Sequence, residues 1–242
     1  MRFTFGIITG GSSNLREDSS DDEVSNRINN IINSIQKQKI KKYEIIIVGG
    51  KNYYQDNLKV KHIEFDEQIR RAWITKKKNI ITQEAVYENI VYMHDYFSLA
   101  DDWYENILKF GDNFDIQMNK IIDINGNRFH DWTLCPDFHP IFRRTKADTM
   151  KIWLPYDVSD MNRYQYISGG FWIAKKDIMK ENPLNENLCW GQAEDVEWSK
   201  RVLQKYKLTM NQDAVIMLNK PRFANDWTVI DKRVLDFLRI KN

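Results

Sequence analysis

The first hundred residues alternate between continuous apolar runs and apolar residues at helical spacing. Continuous runs of strand length are typical of strands buried on both faces of a parallel sheet. We predict four strands, at 3–9, 43–48, 60–65 and 89–93. Apolar residues recur at Ile28, Ile31 and Ile35, which predicts an amphipathic helix over 23–38, and 76–85 is predicted as a second helix. The alternation of strands and helices indicates an α/β sheet with right-handed βαβ connections.

The second half of the chain mixes both periods with a long irregular segment. We predict helices at 101–110, 194–206 and 227–238, and strands at 166–174 and 208–218. Residues 114–124 and 128–134 are predicted to form a β-hairpin around Asn125-Gly126, a pair typical of tight turns. Residues 135–165 lack a period and are rich in Pro, Asp, Arg and aromatic side chains, so we expect a long functional loop or lid there.

The pattern predicts one domain with a ligand crevice along one edge of its sheet. No low-complexity linker or internal repeat divides the 242 residues, which together weigh 29.0 kDa. In open α/β sheets, ligands bind outside the carboxyl ends of the strands. We therefore expect three segments that follow predicted strands to converge there: Thr9 to Gly11, Gly49 to Lys51 and His94 to Tyr96.

Composition narrows the class of protein further. A hydrophobic share of 42% with 29% charged residues excludes a disordered or collagen-like chain. The formal net charge of +2 gives no support for a nucleic-acid partner, and the lysines of 37–42 and 76–78 are interpreted as solvated helix ends. No apolar window has the length of a membrane span, so we expect a cytoplasmic protein, either free or peripheral at a membrane. Cys135 and Cys189 are expected to be reduced.

The aromatic share of 13%, with 8 Trp, is high. Aromatic rings pack in cores, and they also form surfaces that hold flat, partly apolar ligands. Five of them lie in or beside the candidate site segments described next: Tyr96, Phe171, Trp172, Trp190 and Trp198. This placement is consistent with a cleft that holds a flat, partly apolar ligand.

Three short motifs follow one another in a consistent order. The first joins Lys78-Asn79 to the strand that runs into His94-Asp95-Tyr96. The second is Ser168-Gly169-Gly170-Phe171, and the third is Cys189-Trp190-Gly191-Gln192-Ala193-Glu194-Asp195. Together they resemble the family 2 type glycosyltransferases of the GT-A fold, over roughly residues 3–220. The third motif is similar to the Trp-Gly and Glu-Asp stretch of the β-1,4-galactosyltransferase group.

The resemblance implies a GT-A fold, a Rossmann-like mixed sheet flanked by helices, over the single domain 1–242. Residues 1–96 would form the half that binds the nucleotide-sugar, and 97–242 the half that binds the acceptor. The reaction implied is transfer of a sugar from a nucleotide-diphosphate donor, a UDP-sugar in the favoured case, to a hydroxyl of a glycan or glycoconjugate. Asp195 would be the general base of an inverting displacement, with Glu194, Trp190 and Gly191 binding the acceptor.

The same resemblance assigns the donor site. The residues implied are Thr9, Gly10, Gly11, Lys78, Asn79, His94, Asp95, Gly169 and Gly170. A divalent cation, Mn²⁺ or Mg²⁺, would neutralise the leaving diphosphate, with Asp95 and His94 as its ligands. The family pattern has acids at both ends of this triplet, whereas His94 and Tyr96 stand there in this chain, so metal-independent transfer is also consistent with the sequence.

Other interpretations of these residues stay open at this stage. Acids such as Glu194 and Asp195 are favoured in any first helical turn, and Gly169-Gly170 is also consistent with a β-bulge. His130, Cys135 and His139 have irregular spacing for a zinc site. The alternative functions are a nucleotidyltransferase that makes nucleotide-sugars and a non-catalytic module that binds them.

Overall fold

The computed structural model of the chain describes residues 1–10, 21–50, 59–135, 152–220 and 228–240. Over these residues the strands are β1 (Phe3–Ile8), β2 (Tyr43–Val48), β3 (Val60–Ile63), β4 (Asn89–His94), β5 (Phe97–Leu99), β6 (Ile116–Asp123), β7 (Thr133–Leu134), β8 (Ile152–Trp153), β9 (Gln165–Tyr166), β10 (Phe171–Lys175), β11 (Leu208–Leu218) and β12 (Thr228–Val229). The α-helices are α1 (Asp21–Lys37), α2 (Ile74–Glu84), α3 (Trp103–Phe110), α4 (Lys176–Glu181), α5 (Glu194–Val202) and α6 (Lys232–Ile240), and Asn162–Tyr164 form a 3₁₀ turn.

A mixed sheet organises the described part of the chain. Eight strands run in the order β3-β2-β1-β4-β10-β6-β11-β5, and a smaller sheet has the order β12-β8-β7-β9. The first four strands are mutually parallel, as the alternation of strands and helices predicts. Strand β10 then pairs antiparallel with both β4 and β6. The sheet therefore contains strands from both halves of the chain, and β4 stands where its direction changes.

Apolar residues cover both faces of the large sheet. Strands β1 and β4 are buried at every position, which is why their sequences read as continuous apolar runs. Four tryptophans are among the largest fully buried side chains of the described residues: Trp103, Trp132, Trp172 and Trp198. Tyr96 and Phe171 are buried as well, and only Trp190 of the five aromatics near the motifs keeps a half-buried position. The high aromatic content therefore serves mainly the core.

The predicted hairpin around Asn125-Gly126 is wrong beyond its turn. Gly126 adopts a φ of +79°, and the Asp123 carboxylate accepts hydrogen bonds from the backbone N–H groups of Asn125 and Asn127 at 2.9 Å. After the turn, the only described pairing back to β6 is a bridge between Ile122 and Arg128. Residues 133–134 pair instead within the smaller sheet. A local turn signal does not determine where the following segment pairs.

Several predicted boundaries are also corrected. The strand predicted at 166–174 is divided, because Gly169-Gly170 lies in a turn between β9 and β10. The helix predicted at 194–206 ends at Val202, and the one predicted at 227–238 begins at Lys232. The sequence did not indicate α4, β5 or the smaller sheet. Residues 136–151 of the predicted loop lie outside the described residues.

Candidate active site

The carboxyl ends of β1, β2 and β4 meet in one place, as predicted. The Thr9 hydroxyl, just past β1, donates a 2.8 Å hydrogen bond to the Asp95 carboxylate, just past β4. Gly49, past β2, has a φ of +98°, and a Cβ atom there would lie 2.1 Å from the Thr9 carbonyl oxygen. The close approach of these backbones requires glycine at position 49. Gly10 belongs to this edge of the sheet, whereas Gly11 and Lys51 lie outside the described residues.

Asp95 is enclosed by its neighbours. Its side chain is 3% exposed, and its Oδ2 atom lies 3.4 Å from the Arg27 guanidinium in addition to accepting the Thr9 hydrogen bond. On either side, the rings of His94 and Tyr96 are buried and contact each other with centroids 5.2 Å apart. Arg27 could not be assigned to this site from its sequence pattern, because it lies on the polar side of a predicted amphipathic helix.

These surroundings do not fit the metal site that the resemblance implies. Hard divalent cations take about six or more oxygen ligands and depend on carboxylate charge. Here the one carboxylate of the triplet is already paired with a guanidinium, and its other members are an imidazole and a phenol. Across the described ranges, no three His, Cys, Asp or Glu side chains are grouped so that they could hold a metal ion.

Lys77 and Lys78 are buried, so their interpretation as a solvated helix end is wrong. The Lys77 ammonium donates a 2.7 Å hydrogen bond to the Thr9 carbonyl, pairs with Glu67 and lies 5.1 Å from the centre of the Phe65 ring. Burial lowers its pKa, and the charges of Glu67 and Asp95 oppose that shift. Lys77 therefore fixes the end of β1 from the helix side.

Lys78 points to the second and third motifs. Its ammonium donates a 2.7 Å hydrogen bond to the Gly169 carbonyl and lies 4.6 Å from the centre of the Trp172 ring. Burial lowers its pKa to about 8, and the negative charges of Glu194 and Asp195 limit the shift. The three motifs therefore meet around this one ammonium group.

Asp195 binds the Gly169 turn from the other side. Its carboxylate accepts hydrogen bonds from the backbone N–H groups of Gly169 at 3.0 Å and Val196 at 2.9 Å. A Cβ atom on Gly169 would lie 2.8 Å from this carboxylate, and one on Gly170 would lie 2.7 Å from the Phe97 ring. The side chains of Asp195 and Phe97 thus leave no room for a Cβ atom at either position, which explains both glycines. Burial raises the pKa of Asp195, while Lys78 and the two N–H groups oppose the shift.

Glu194 is the neighbouring acid at the start of α5. It is 5% exposed, and burial together with the charge of Asp195 raises its pKa to about 7. The residue before it, Ala193, has a left-handed backbone with a φ of 56°. This conformation is unfavourable for alanine and is found mainly at functional or tightly constrained positions. Burial and the charge of Asp195 therefore favour the protonated form of Glu194 up to near neutral pH.

The remaining predicted acceptor and donor residues lie around this cluster. The Trp190 backbone N–H donates to the Ala72 carbonyl at 3.0 Å, its side chain is half-buried, and Gly191 is exposed with a φ of +80°. The Asn79 side chain donates to the Leu184 carbonyl at 2.9 Å and also accepts from the Leu184 N–H. Asn79 therefore holds the segment that leads into the third motif.

Among the described residues, the side chains considered for a zinc site do not form a group that could hold the ion. His130 contacts the Tyr166 hydroxyl at 3.0 Å, and Cys135 is buried with its backbone N–H bonded to the Tyr164 carbonyl. His139 lies outside the described residues. In the same region, Asp131 is fully buried between Arg128 and Tyr156.

The raised pKa of Glu194 predicts a pH-dependent stability. An unfolded glutamate titrates near 4.5 and the folded one near 7, so the folded state holds an extra proton between these values and loses stability as pH rises through them. Glu194→Gln removes the titrating group and with it this pH-dependent contribution to stability. Its unfolding free energy relative to the wild type should therefore rise by about 2–3 kcal/mol from pH 4.5 to 7.

Urea unfolding at several pH values measures this difference. The matched control is Glu105→Gln, since Glu105 is an exposed acid in the first turn of α3. Its difference from the wild type should stay within about 0.5 kcal/mol over the same range. A constant Glu194→Gln difference across the window would contradict the assignment of the raised pKa.

Comparisons with known proteins identify the fold. No family model matches the chain, and no curated protein matches it in sequence. S. aureus TarS 1-349 in complex with UDP-GlcNAc is similar in structure, with a TM-score of 0.57 at 15% identity, over 99% of this chain and 65% of that one. GalNAc-T7, crystallised with UDP, GalNAc and Mn²⁺, has a TM-score of 0.60 at 17% identity, over 90% of this chain and 43% of that one.

A longer S. aureus TarS structure is covered over 37% of its length, so the chain spans about a third to two thirds of the structures it matches. Identities of 14–17% establish the architecture and leave substrate and mechanism to the site itself. Among the described helices, none combines the length and the apolar character needed to cross a bilayer. The chain has an α/β fold with the mixed, helix-flanked sheet of the GT-A glycosyltransferases.

Proposed function

We propose that this protein is a glycosyltransferase that moves a sugar from a nucleotide-diphosphate sugar to a hydroxyl of a glycan or glycoconjugate. The observation that carries the proposal is the junction at Gly169. Its carbonyl accepts from buried Lys78 and its N–H donates to Asp195, so the three motifs form one site. The UDP-sugar and UDP complexes of the structural neighbours favour a uridine nucleotide as the donor.

Asp195 is proposed as the general base of an inverting displacement. The acceptor hydroxyl gives its proton to the Asp195 carboxylate while its oxygen forms a bond to the anomeric carbon. The bond from that carbon to the diphosphate oxygen breaks, and the electron pair leaves with the diphosphate. A carboxylate with a raised pKa is a stronger base, and the two N–H groups that hold it fix its direction.

We propose that the other predicted residues bind the acceptor and the donor. We assign Glu194, Trp190 and Gly191 to the acceptor, because they surround the start of α5 beside Asp195. The donor residues proposed are Thr9, Gly10, Gly11, Lys78, Asn79, His94, Asp95, Gly169 and Gly170. Thr9, His94, Asp95 and the Gly169-Gly170 turn lie at strand ends, where ligands of such sheets bind, and Lys78 reaches the Gly169 carbonyl from α2.

A thermal-shift screen tests the nucleotide and the class of activity together. The unfolding temperature is measured with UDP, GDP, CMP and their sugars, each with EDTA and with Mn²⁺. A ligand at about 100 times its Kd adds about 2.7 kcal/mol, so UDP and a UDP-sugar should raise the unfolding temperature by several degrees. No shift with any nucleotide would contradict the proposal.

The same samples separate the alternative functions. Incubation of the best donor with a panel of acceptors should give a glycosylated product. Donor binding without transfer or hydrolysis favours a non-catalytic module, and release of pyrophosphate from a nucleoside triphosphate and a sugar phosphate favours a nucleotidyltransferase.

A further inference from the structure

Trp190 lies in a β-turn that we call the Trp190 turn, formed by Cys189 to Gln192. The Gln192 N–H donates to the Cys189 carbonyl at 3.1 Å, and the Gln192 side-chain oxygen accepts from the Cys189 N–H at 2.7 Å. Gly191, the third residue of the turn, has a φ of +80°, a conformation that favours glycine. The backbone that carries Trp190 is therefore fixed within the turn itself.

The segment that leads into this turn forms no helix or strand, and side chains from another part of the chain hold it. The Arg70 guanidinium donates to the carbonyls of Glu186 and Asn187 at 2.7 and 2.6 Å. The Thr75 hydroxyl donates to the carbonyl of Leu188 at 2.7 Å. Three successive carbonyl groups ahead of the turn are thus bound by side chains from the start of α2 and the residues before it.

The backbone of Ala72 holds the turn directly. Its carbonyl accepts hydrogen bonds from the N–H groups of Ile74 at 2.8 Å and Trp190 at 3.0 Å. Ala72 has a left-handed backbone with a φ of 54°, which is unfavourable for alanine and persists where the surroundings impose it. This residue therefore joins the start of α2 to the Trp190 turn.

The same part of α2 binds the donor side of the site. Lys77 donates to the Thr9 carbonyl and Lys78 to the Gly169 carbonyl, both at 2.7 Å. Thr75, Lys77 and Lys78 are each at most 2% exposed. These residues belong to little more than one helical turn, which rises about 5.4 Å. One buried turn of α2 therefore fixes the end of β1, the Gly169 turn and the Trp190 turn relative to one another.

We propose that Arg70 and Thr75 are positioning residues for the acceptor. Together with the Ala72 carbonyl, they hold the Trp190 turn beside Asp195, so that a sugar bound against Trp190 presents its hydroxyl to that carboxylate. This inference rests on the glycosyl transfer proposed above. Arg70 and Thr75 act through the turn, so they determine the KM for the acceptor and leave the affinity for UDP unchanged.

Hydrogen exchange of the full chain, followed by mass spectrometry, tests whether Thr75 holds the segment. Thr75→Val keeps the shape of the side chain and removes the hydroxyl that binds the Leu188 carbonyl. Loss of this buried hydrogen bond should make peptides that cover 184–192 exchange about 10-fold faster. Thr75→Ser should restore the wild-type exchange, because it keeps the hydroxyl.

Initial rates of sugar transfer measure the consequence for the acceptor. The donor is UDP-GlcNAc, and the acceptor probes are the methyl glycosides of glucose, galactose and N-acetylglucosamine. Thr75→Val should raise the KM for the best of these acceptors by about 5-fold to 20-fold, and Thr75→Ser should recover it. Arg70→Met, a second variant at a half-buried position, should raise this KM in the same way. The Kd for UDP, measured by calorimetry, should change less than about threefold in each variant.

Thr4→Val is the matched control. Thr4 is as buried as Thr75, lies at the opposite end of β1 from the site, and donates its hydroxyl to Glu44 at 2.6 Å. Both variants should lower the unfolding temperature by about 2–8 °C. Thr4→Val should nevertheless keep the acceptor KM within about twofold of the wild type and the exchange of 184–192 within about threefold.

The outcomes separate this inference from the function beneath it. Unchanged exchange of 184–192 in Thr75→Val, or an equal rise of the acceptor KM in Thr4→Val, would overturn the inference while glycosyl transfer stands. UDP affinity that weakens as much as the acceptor KM rises in Thr75→Val would also overturn it, because α2 would then serve the donor. If the wild type neither binds UDP nor transfers sugar, the proposed function fails, and the exchange of 184–192 still decides whether Thr75 holds the turn.

Discussion

Asp195→Asn is expected to abolish sugar transfer and to leave donor binding nearly unchanged. Asparagine has the same shape and can accept the Gly169 N–H bond through its oxygen, but it cannot take a proton from the acceptor hydroxyl. Loss of a general base costs about 10²–10⁴ in rate, so kcat should fall by about a thousandfold. The Kd for UDP should change less than about threefold, since the proposed role places Asp195 beside the acceptor hydroxyl and away from the nucleotide.

Product formation by mass spectrometry and UDP binding by calorimetry measure the two effects separately. Asp177→Asn is the control, because Asp177 is an exposed acid in the first turn of α4. It should transfer sugar at the wild-type rate. Full activity of Asp195→Asn would rule out this residue as the base, and Glu194, whose pKa of about 7 also suits a base, would then be tested by the same substitution.

Lys78→Met is expected to lower both the stability and the activity, with a loss of stability that is larger at high pH than at low pH. Methionine fills a similar volume, but the Gly169 carbonyl loses its donor, and Glu194 and Asp195 lose the positive charge that lowers their pKa values. Above pH 7 Glu194 is ionised in the wild type and Lys78 is its counter-charge, so removal of the ammonium should destabilise the fold by about 3 kcal/mol.

At pH 5 the loss should be smaller by about 1.5 kcal/mol or more. Glu194 holds a proton there, and the substitution also removes the cost of burying a charged lysine whose pKa is lowered to about 8. Sugar transfer at pH 8 should fall at least about a hundredfold, because the Gly169 turn that orients Asp195 loses its anchor.

Urea unfolding at pH 5 and pH 8 and initial rates at pH 8 provide the test. The control is Lys76→Met two residues earlier, where the side chain is 35% exposed and pairs with Glu186 at 3.0 Å. A half-exposed pair of this kind should change stability by no more than about 1 kcal/mol. Equal losses for Lys78→Met at both pH values would contradict the electrostatic link between Lys78 and the two acids.

The sequence predicted the parallel half of the fold well, because its signal is local. Strands β1, β2 and β4 are buried on both faces, so their apolar runs define them within about one residue. The turn at Gly169-Gly170 could not be predicted from the local sequence. Its flanks are apolar on both sides and read as one strand, and the interruption is caused by the side chains of Asp195 and Phe97 from other elements.

The candidate site could be predicted in outline but not in its charge arrangement. The order of the three motifs placed Lys78, Gly169 and Asp195 in one crevice, and their hydrogen bonds bear out that proximity. Arg27 and Lys77 gave no comparable signal. Each lies on an element whose local pattern is ordinary, and each meets its partner only through the topology of the sheet.

Both polar backbone atoms of Gly169 are bonded to charged side chains, the carbonyl oxygen to Lys78 and the N–H to Asp195. Neither peptide that adjoins Gly169 can rotate without breaking one of these bonds, so the turn holds Lys78 and Asp195 in fixed positions relative to each other. Under the proposed mechanism these dipoles have their final orientation before the reaction begins, so little reorganisation free energy is spent on the way to the transition state. Substitutions that loosen this turn should therefore lower the proposed sugar transfer more than they lower the stability of the fold.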